Sequence, residues 1–296
     1  MLSRRRAIAL AVLSPAIAHA AKPLKVVASF SILGDLVREV GGGRVQLVVL
    51  VGADQDTHVY QPKPSDLRAV AAADVLVTNG LGFEGWMDRM AEAAGFKGRR
   101  IVASDGVAPM TTDDGGTDPH AFQNVRHLMR YVANLRDGLT AADPAGADTY
   151  QRTAANYLDR LTKLDAAIRA AWAPIPRDRR RIITSHDALS YYGAEYGVTF
   201  LAPQGRSTES EPSAKELRGL IEQIRAQHVT ALFVENISNG AILRQIARET
   251  GVKIGGTLFS DALSAPGGPA ASYLDMMRSN TKAMAAATAA GGARTP

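Results

Sequence analysis

The chain has 296 residues, a formal net charge of +5 and no cysteine. Without thiols there is no disulfide framework, no thiolate metal site and no cysteine to carry a lipid anchor. The first twenty residues hold three arginines and no acids, so the net charge without them is +2, which is no nucleic-acid footprint.

Those twenty residues read as an export leader. Arg4, Arg5 and Arg6 form a basic start, Ala7 to Ile17 is a short apolar stretch, and Ala18-His19-Ala20 is a small-residue cleavage pattern. The apolar run is too short to span a bilayer. Ser3-Arg4-Arg5 also carries a twin-arginine pair. The expected product is periplasmic, cleaved after Ala20, with no lipid anchor. About 275 residues remain, enough for two ordinary domains.

The first half alternates strand and helix. Leu24 to Ser29, Val45 to Val51, Val75 to Thr78 and Ile101 to Ala103 read as strands. Ile32 to Val40, a short helix capped by Ser65, and Trp86 to Ala94 fall between them. This alternation implies right-handed crossovers and a parallel sheet. Residues 105–117 are polar and glycine-rich, hence a loop, and Val125 to Leu139 has a helical period.

From Asp143 to Ala173 the pattern predicts one long helix. Asp143 suits an N-cap and Pro144 the first helical position. Tyr150, Ala154, Tyr157, Leu161, Leu164 and Ile168 make one apolar stripe, and Pro174 and Pro176 stop it. Arg177 to Arg181 then reads as a solvated linker face.

The second half repeats the design. Ile182 to Thr184, Val198 to Leu201, Ala231 to Val234 and Lys253 to Phe259 read as strands. Ser213 and Glu216 form a capping box ahead of a helix, and a helix through Ile246 ends at Gly251. The tail after residue 285 reads as frayed. The expected fold is α/β: two (βα)4-type domains with parallel sheets, 21–142 and 176–296, joined by one long backbone helix over 143–175, with the functional site in the interdomain cleft.

Five histidines follow the leader. His127 and His228 read as surface or capping residues. His58, His120 and His186 each lie beyond the carboxyl end of a strand, where open α/β sheets bind ligands. Asp261 holds the same kind of position after Phe259. Imidazole and carboxylate are ligands of first-row divalent metals. Spacing alone leaves two readings open, a shared metal site or unrelated loop residues. Glu209, Glu211 and Glu235 are candidates for the surroundings of such a site.

The words around these residues carry a resemblance. Asp56-Thr57-His58-Val59-Tyr60-Gln61-Pro62-Lys63-Pro64-Ser65-Asp66 resembles the His-x-Tyr-x-Pro-x-Pro-Ser-Asp segment of the metal-binding periplasmic proteins of ABC importers (cluster A-I, the TroA/zinc-uptake family). Asp118-Pro119-His120-Ala121-Phe122 is similar to that family's Asp-Pro-His-x-Trp segment, with Phe122 in place of Trp. Thr184-Ser185-His186-Asp187-Ala188 and Ser260-Asp261-Ala262-Leu263-Ser264 resemble its third and fourth ligand segments. The resemblance covers the whole mature chain in order.

It implies four metal ligands, His58, His120, His186 and Asp261, two on each side of the long helix. It implies capture of a divalent cation, Zn2+ first with Mn2+ or Fe2+ as alternatives, and delivery to an ABC-transporter permease by a monomer, with a periplasmic metallochaperone as a further candidate partner. In manganese-type members the third position is usually Glu; here it is His186. The histidine-rich loop of many zinc members is absent, since Asp105 to Thr117 holds Asp113 and Asp114 but no histidine. Neutral imidazoles are needed for ligation, so binding is expected to weaken below about pH 6.5. The rival readings are a zinc hydrolase using Asp261 as general base, and a sugar- or peptide-binding protein. No His-Glu-x-x-His word supports the first, and an aromatic content of 6% argues against sugar stacking in the second.

Overall fold

The computed structural model describes residues 22–111, 115–227, 229 and 231–291. The leader, Asp113, Asp114 and His228 lie outside the described residues. No described helix is long and apolar enough to cross a membrane.

Strands β1 (Leu24–Phe30), β2 (Val45–Val51), β3 (Val75–Thr78) and β4 (Arg99–Val102) form one parallel sheet in the order β2-β1-β3-β4. Helices α1 (Ser31–Gly41), α2 (Pro64–Ala71) and α3 (Met87–Ala93) make its crossovers. Val26 lies opposite both Leu47 and Val75. That places strands on both edges of β1, and the unbroken burial of Val26–Phe30 and of Val75–Val77 shows both faces covered, which is why β1 and β3 read as apolar runs rather than alternations. Then come α4 (Val125–Ala142) and α5 (Ala147–Trp172).

The second sheet uses β5 (Arg181–Ile183), β6 (Thr199–Leu201), β7 (Ala231–Glu235) and β8 (Ile254–Leu258), connected by α6 (Ser190–Tyr196), α7 (Ala214–Ala226) and α8 (Ala241–Thr250). Its order, β6-β5-β7-β8, repeats that of the first sheet, and α9 (Tyr273–Gly291) follows it. The Ser213–Glu216 capping box is present, and Gly251 ends α8 at φ 73°.

Four local expectations are corrected. The long helix does not begin at Asp143: a 3-10 turn, Pro144–Gly146, precedes α5. Asp143 stands at the N-cap position of that turn with Pro144 next, as expected, but its side chain makes no cap bond because its carboxylate is otherwise engaged. It accepts from Arg44 Nε (2.7 Å) and Nη2 (2.9 Å) and from the Tyr150 hydroxyl (2.7 Å). Helix α2 starts at Pro64, one residue before Ser65, and Asp66 Oδ2 accepts the Lys63 N–H at 2.7 Å.

The run Arg177 to Arg181 is not uniformly solvated, since Arg180 is buried. It donates to the carbonyls of Trp172, Ile175 and Tyr196 at 2.7–2.9 Å, closing the carboxyl end of α5 where free carbonyls and the helix dipole favour a cation. The tail beyond residue 285 is helical to Gly291, with Met284 and Thr288 fully buried against the body of the protein. Its alanines let α9 pack closely on α5 and β8, while diluting the apolar period that would have announced it.

The buried stripe of α5 is Tyr150, Ala154, Tyr157, Leu161, Leu164, Ile168 and Trp172. At 1.5 Å per residue its 26 residues run about 39 Å. One apolar core extends along this stripe from β1, α1 and α4 to β5, β7 and α9. A smaller cluster of Ile183, Leu220, Ile221, Ile224, Leu232, Leu243 and Ile246 fills the other face of the second sheet.

Candidate metal centre

The loop after β2 carries His58. Asp56 shapes it: Oδ1 accepts the His58 N–H at 2.9 Å, and Oδ2 accepts the Thr208 hydroxyl of the second half at 2.5 Å. The Trp86 indole donates to the Thr57 carbonyl at 2.9 Å. His120 follows Asp118 and Pro119 in the loop beyond β4. Asp118 Oδ1 accepts the His120 N–H at 2.9 Å and stands 2.8 Å from ring Nδ1, which leaves Nε2 facing the centre. His186 lies just past β5, and its N–H donates to Glu235 Oε1 at 2.9 Å. Asp261 follows β8 in a segment held by Asn280, whose Oδ1 accepts the Phe259 N–H at 3.0 Å.

The structure brings all four sequence candidates together. One ligating atom from each of His58, His120, His186 and Asp261 lies within 4.8 Å of the others. Asp261 Oδ2 is 3.2 Å from His58 Nε2, 3.6 Å from His120 Nε2 and 2.9 Å from His186 Nε2. A tetrahedron with metal–ligand bonds of about 2.0–2.1 Å has edges of about 3.4 Å, so these separations suit four bonds to one ion. The three imidazole centroids are 5.4–5.7 Å apart, and Phe83 lies edge-on at 5.0 Å from His58 and 5.6 Å from His120. Phe122, where the resemblance has Trp, packs at 5.9 Å from His120.

His120, His186 and Asp261 are fully buried. His58 borders a cavity of about 680 Å³ that is also lined by Tyr60, Trp86, Arg89, Arg206 and Glu209. Of the four candidates, His58 is the one that lines this cavity. Glu211 is exposed. His127 is neither a simple surface residue nor a cap: its half-buried ring stacks edge-on against Tyr191 at 5.3 Å.

Burial disfavours charged His120, but Asp261 and Asp118 outweigh it and raise its pKa to about 9. His186 is likewise raised, Glu235 and Asp261 overcoming burial. Burial pushes Asp261 up, yet the imidazoles of His120 and His186 hold it well below the usual carboxylate range. Even so, His120 Nε2 and Asp261 Oδ1 find no hydrogen-bond partner among the described residues. Buried polar atoms left unsatisfied cost roughly 1–3 kcal/mol each, and at a functional site they point to an absent ligand.

Some supporting residues escape sequence reasoning. Glu84 is buried, and burial raises its pKa to about 7. It accepts from the Ser29 hydroxyl (2.5 Å) and the Asn79 N–H (2.6 Å), while Asn79 Nδ2 donates to the Pro119 carbonyl at 2.9 Å. This chain of bonds ties the His120 loop to β1 and β3. In sequence, Gly82-Phe83-Glu84-Gly85 falls between the strand Val75 to Thr78 and the helix from Trp86, and has no apolar period to signal the burial of Glu84. Gln123, whose Nε2 donates to the Ser260 carbonyl at 2.6 Å, was equally silent.

A family model described as ZnuA, zinc-uptake complex component A, periplasmic, matches residues 26–287. The chain belongs to the ZnuA family. Among its relatives is the manganese-binding lipoprotein MntA of Halalkalibacterium halodurans, 33% identical over 258 residues, covering 87% of this chain and 86% of that one. The iron-binding protein YfeA of Yersinia pestis is 29% identical, covering 87% and 84%. The fold is similar to that of the periplasmic zinc-binding protein TroA of Treponema pallidum, with a TM-score of 0.86, 27% identity and coverage of 90% and 99%. A manganese-bound periplasmic metal-binding protein of Candidatus Liberibacter asiaticus gives 0.83 and 29%, with coverage of 90% and 99%.

ZnuA-family membership makes this chain an exported metal-binding component of an ABC importer and not an enzyme. The hydrolase reading, with Asp261 as general base, is thereby set aside.

Proposed function

We propose that this ZnuA-family chain captures a divalent first-row cation, zinc before manganese or iron, at His58, His120, His186 and Asp261, and delivers it to the permease of its importer. The observation that supports this most directly is the pair of orphaned buried atoms, His120 Nε2 and Asp261 Oδ1, in a pocket where three imidazoles and a carboxylate converge. Two ligands come from each of the segments 21–142 and 176–296, on either side of segment 143–175. The chain acts as a monomer in the periplasm. Several relatives are named lipoproteins, whereas this sequence has no cysteine for a thioether-linked lipid.

Zinc is favoured by the donor set. Three nitrogens and one oxygen suit a tetrahedral ion, and nitrogen-rich sites rank zinc above manganese and iron. Manganese prefers more oxygen donors. The second reading, manganese, is favoured by the names of the relatives, MntA among them.

Competition titrations of the wild type and His186→Glu with zinc and manganese separate the two. The wild type should prefer zinc by orders of magnitude, and the substitution, which adds an oxygen donor, should narrow the gap. Equal wild-type affinities would favour manganese as cargo. If His186→Glu leaves both affinities unchanged, His186 is not a ligand.

A further inference from the structure

Glu235 is the last residue of β7, and its side chain is fully buried. β7 lies beside β5 in the sheet, so the end of β7 faces the loop that carries His186. In the order β6-β5-β7-β8 this is the place where the crossovers change direction and a crevice opens.

The carboxylate is fully used on the ligand side. Oε1 accepts the backbone N–H of His186 at 2.9 Å. Oε2 accepts the Ser260 hydroxyl at 2.5 Å and also stands 2.5 Å from Nδ1 of the His186 ring, an ion-pair contact that is out of line for a hydrogen bond and leaves Nδ1 with no aligned partner among the described residues. The Glu235 N–H donates to Ser185 Oγ at 3.1 Å. A single carboxylate thus touches the ring of one candidate ligand and, through Ser260, the residue next to another.

Burying a carboxylate is costly, and the end of a strand does not require one. A histidine that binds metal through Nε2 must keep its proton on Nδ1, and an acceptor at Nδ1 fixes both tautomer and ring orientation. Asp118 does this for His120 from two residues away. No carboxylate stands behind His58 among the described residues.

We propose that Glu235 is a positioning residue for the metal: it holds His186 as the Nδ1–H tautomer with Nε2 aimed at the ion, and steadies Asp261 through Ser260. The inference rests on His186 being a ligand.

The test combines zinc affinity, measured by chelator competition, with nitrogen-15 NMR of the histidine rings in the zinc-loaded protein. In the wild type the His186 Nδ1 proton should be present, shifted downfield and slow to exchange. In Glu235→Gln the amide sets a donor against either the backbone N–H or the ring. That resonance should then disappear or move upfield, and zinc affinity should fall about 10–100-fold, while the metal-free melting temperature stays within a few degrees. Unchanged affinity and an unchanged resonance would overturn the proposal. If the variant fails to fold, the wild-type spectrum decides alone, since zinc on Nδ1 of His186 would overturn it equally. His186→Ala separates the premises: if it retains wild-type affinity, the ligand assignment fails rather than the role of Glu235.

Discussion

His120 is the candidate ligand at which a proton would compete most directly with a metal. In the metal-free protein its pKa is raised to about 9, because Asp261 and Asp118 outweigh burial. The folded value is above the unfolded one, so protonated His120 contributes stability fully below about pH 6.5, and this is lost as pH rises through 9. A metal on Nε2 needs the proton removed. Metal-induced stabilisation should therefore grow between pH 6.5 and 9, not merely fade below 6.5 as an ordinary imidazole would dictate. Ligand at ~1,000-fold over Kd stabilises by about 4 kcal/mol, and a shift of this size opposes it by roughly 3 kcal/mol at the acid end. Melting curves with and without buffered zinc at pH 6.5, 7.5 and 9 read this out; equal shifts at all three would contradict it. The four candidate ligands, which the structure brings together, were legible because each sits in a short local word. Their charge state was not, because it depends on Glu235 and Asp261 arriving from other strands beside His186, and on Asp261 doing so beside His120.

At the scale of elements, α5 decides how the halves can move. It is continuous from Ala147 to Trp172 and buries seven side chains against elements of both halves, from α1 and α4 to α6 and α9. Bending it would break backbone hydrogen bonds and open that packing together. Small-angle scattering of metal-free and metal-loaded protein should give nearly superimposable curves, with changes confined to loops around His58, His120 and His186. A large fall in radius of gyration on binding would contradict a stiff helix. The stripe of α5 was readable from spacing alone, as were β1 to β4 and β5 to β8 to within a residue or two. What was not readable turned on distant partners: Arg44 takes Asp143 away from the cap, and Arg180 folds back on the carbonyls of Trp172 and Ile175. Helices α6 and α9 were missed because tyrosine, glycine and alanine give a weak period until a neighbour covers them.

At the scale of the whole molecule, the centre lies on a seam closed by bonds between the halves. Ser31 Oγ accepts the Leu263 N–H at 2.9 Å, Asp35 Oδ2 the Tyr273 N–H at 2.9 Å, and Asp54 Oδ1 accepts from Asn236 Nδ2 at 2.9 Å. Gln123 joins Ser260 beside Asp261. Each half supplies two of the four candidate donors, so on the proposed assignment neither alone would hold an ion in a four-coordinate shell. Direct titration of the metal-free protein with zinc, repeated with alanine at His58, His120, His186 and Asp261 in turn, tests this. One ion should bind tightly per chain, and each substitution, in either half, should weaken it at least tenfold. Two equal tight ions, none, or losses confined to the ligands of one half would contradict a single centre shared across the seam.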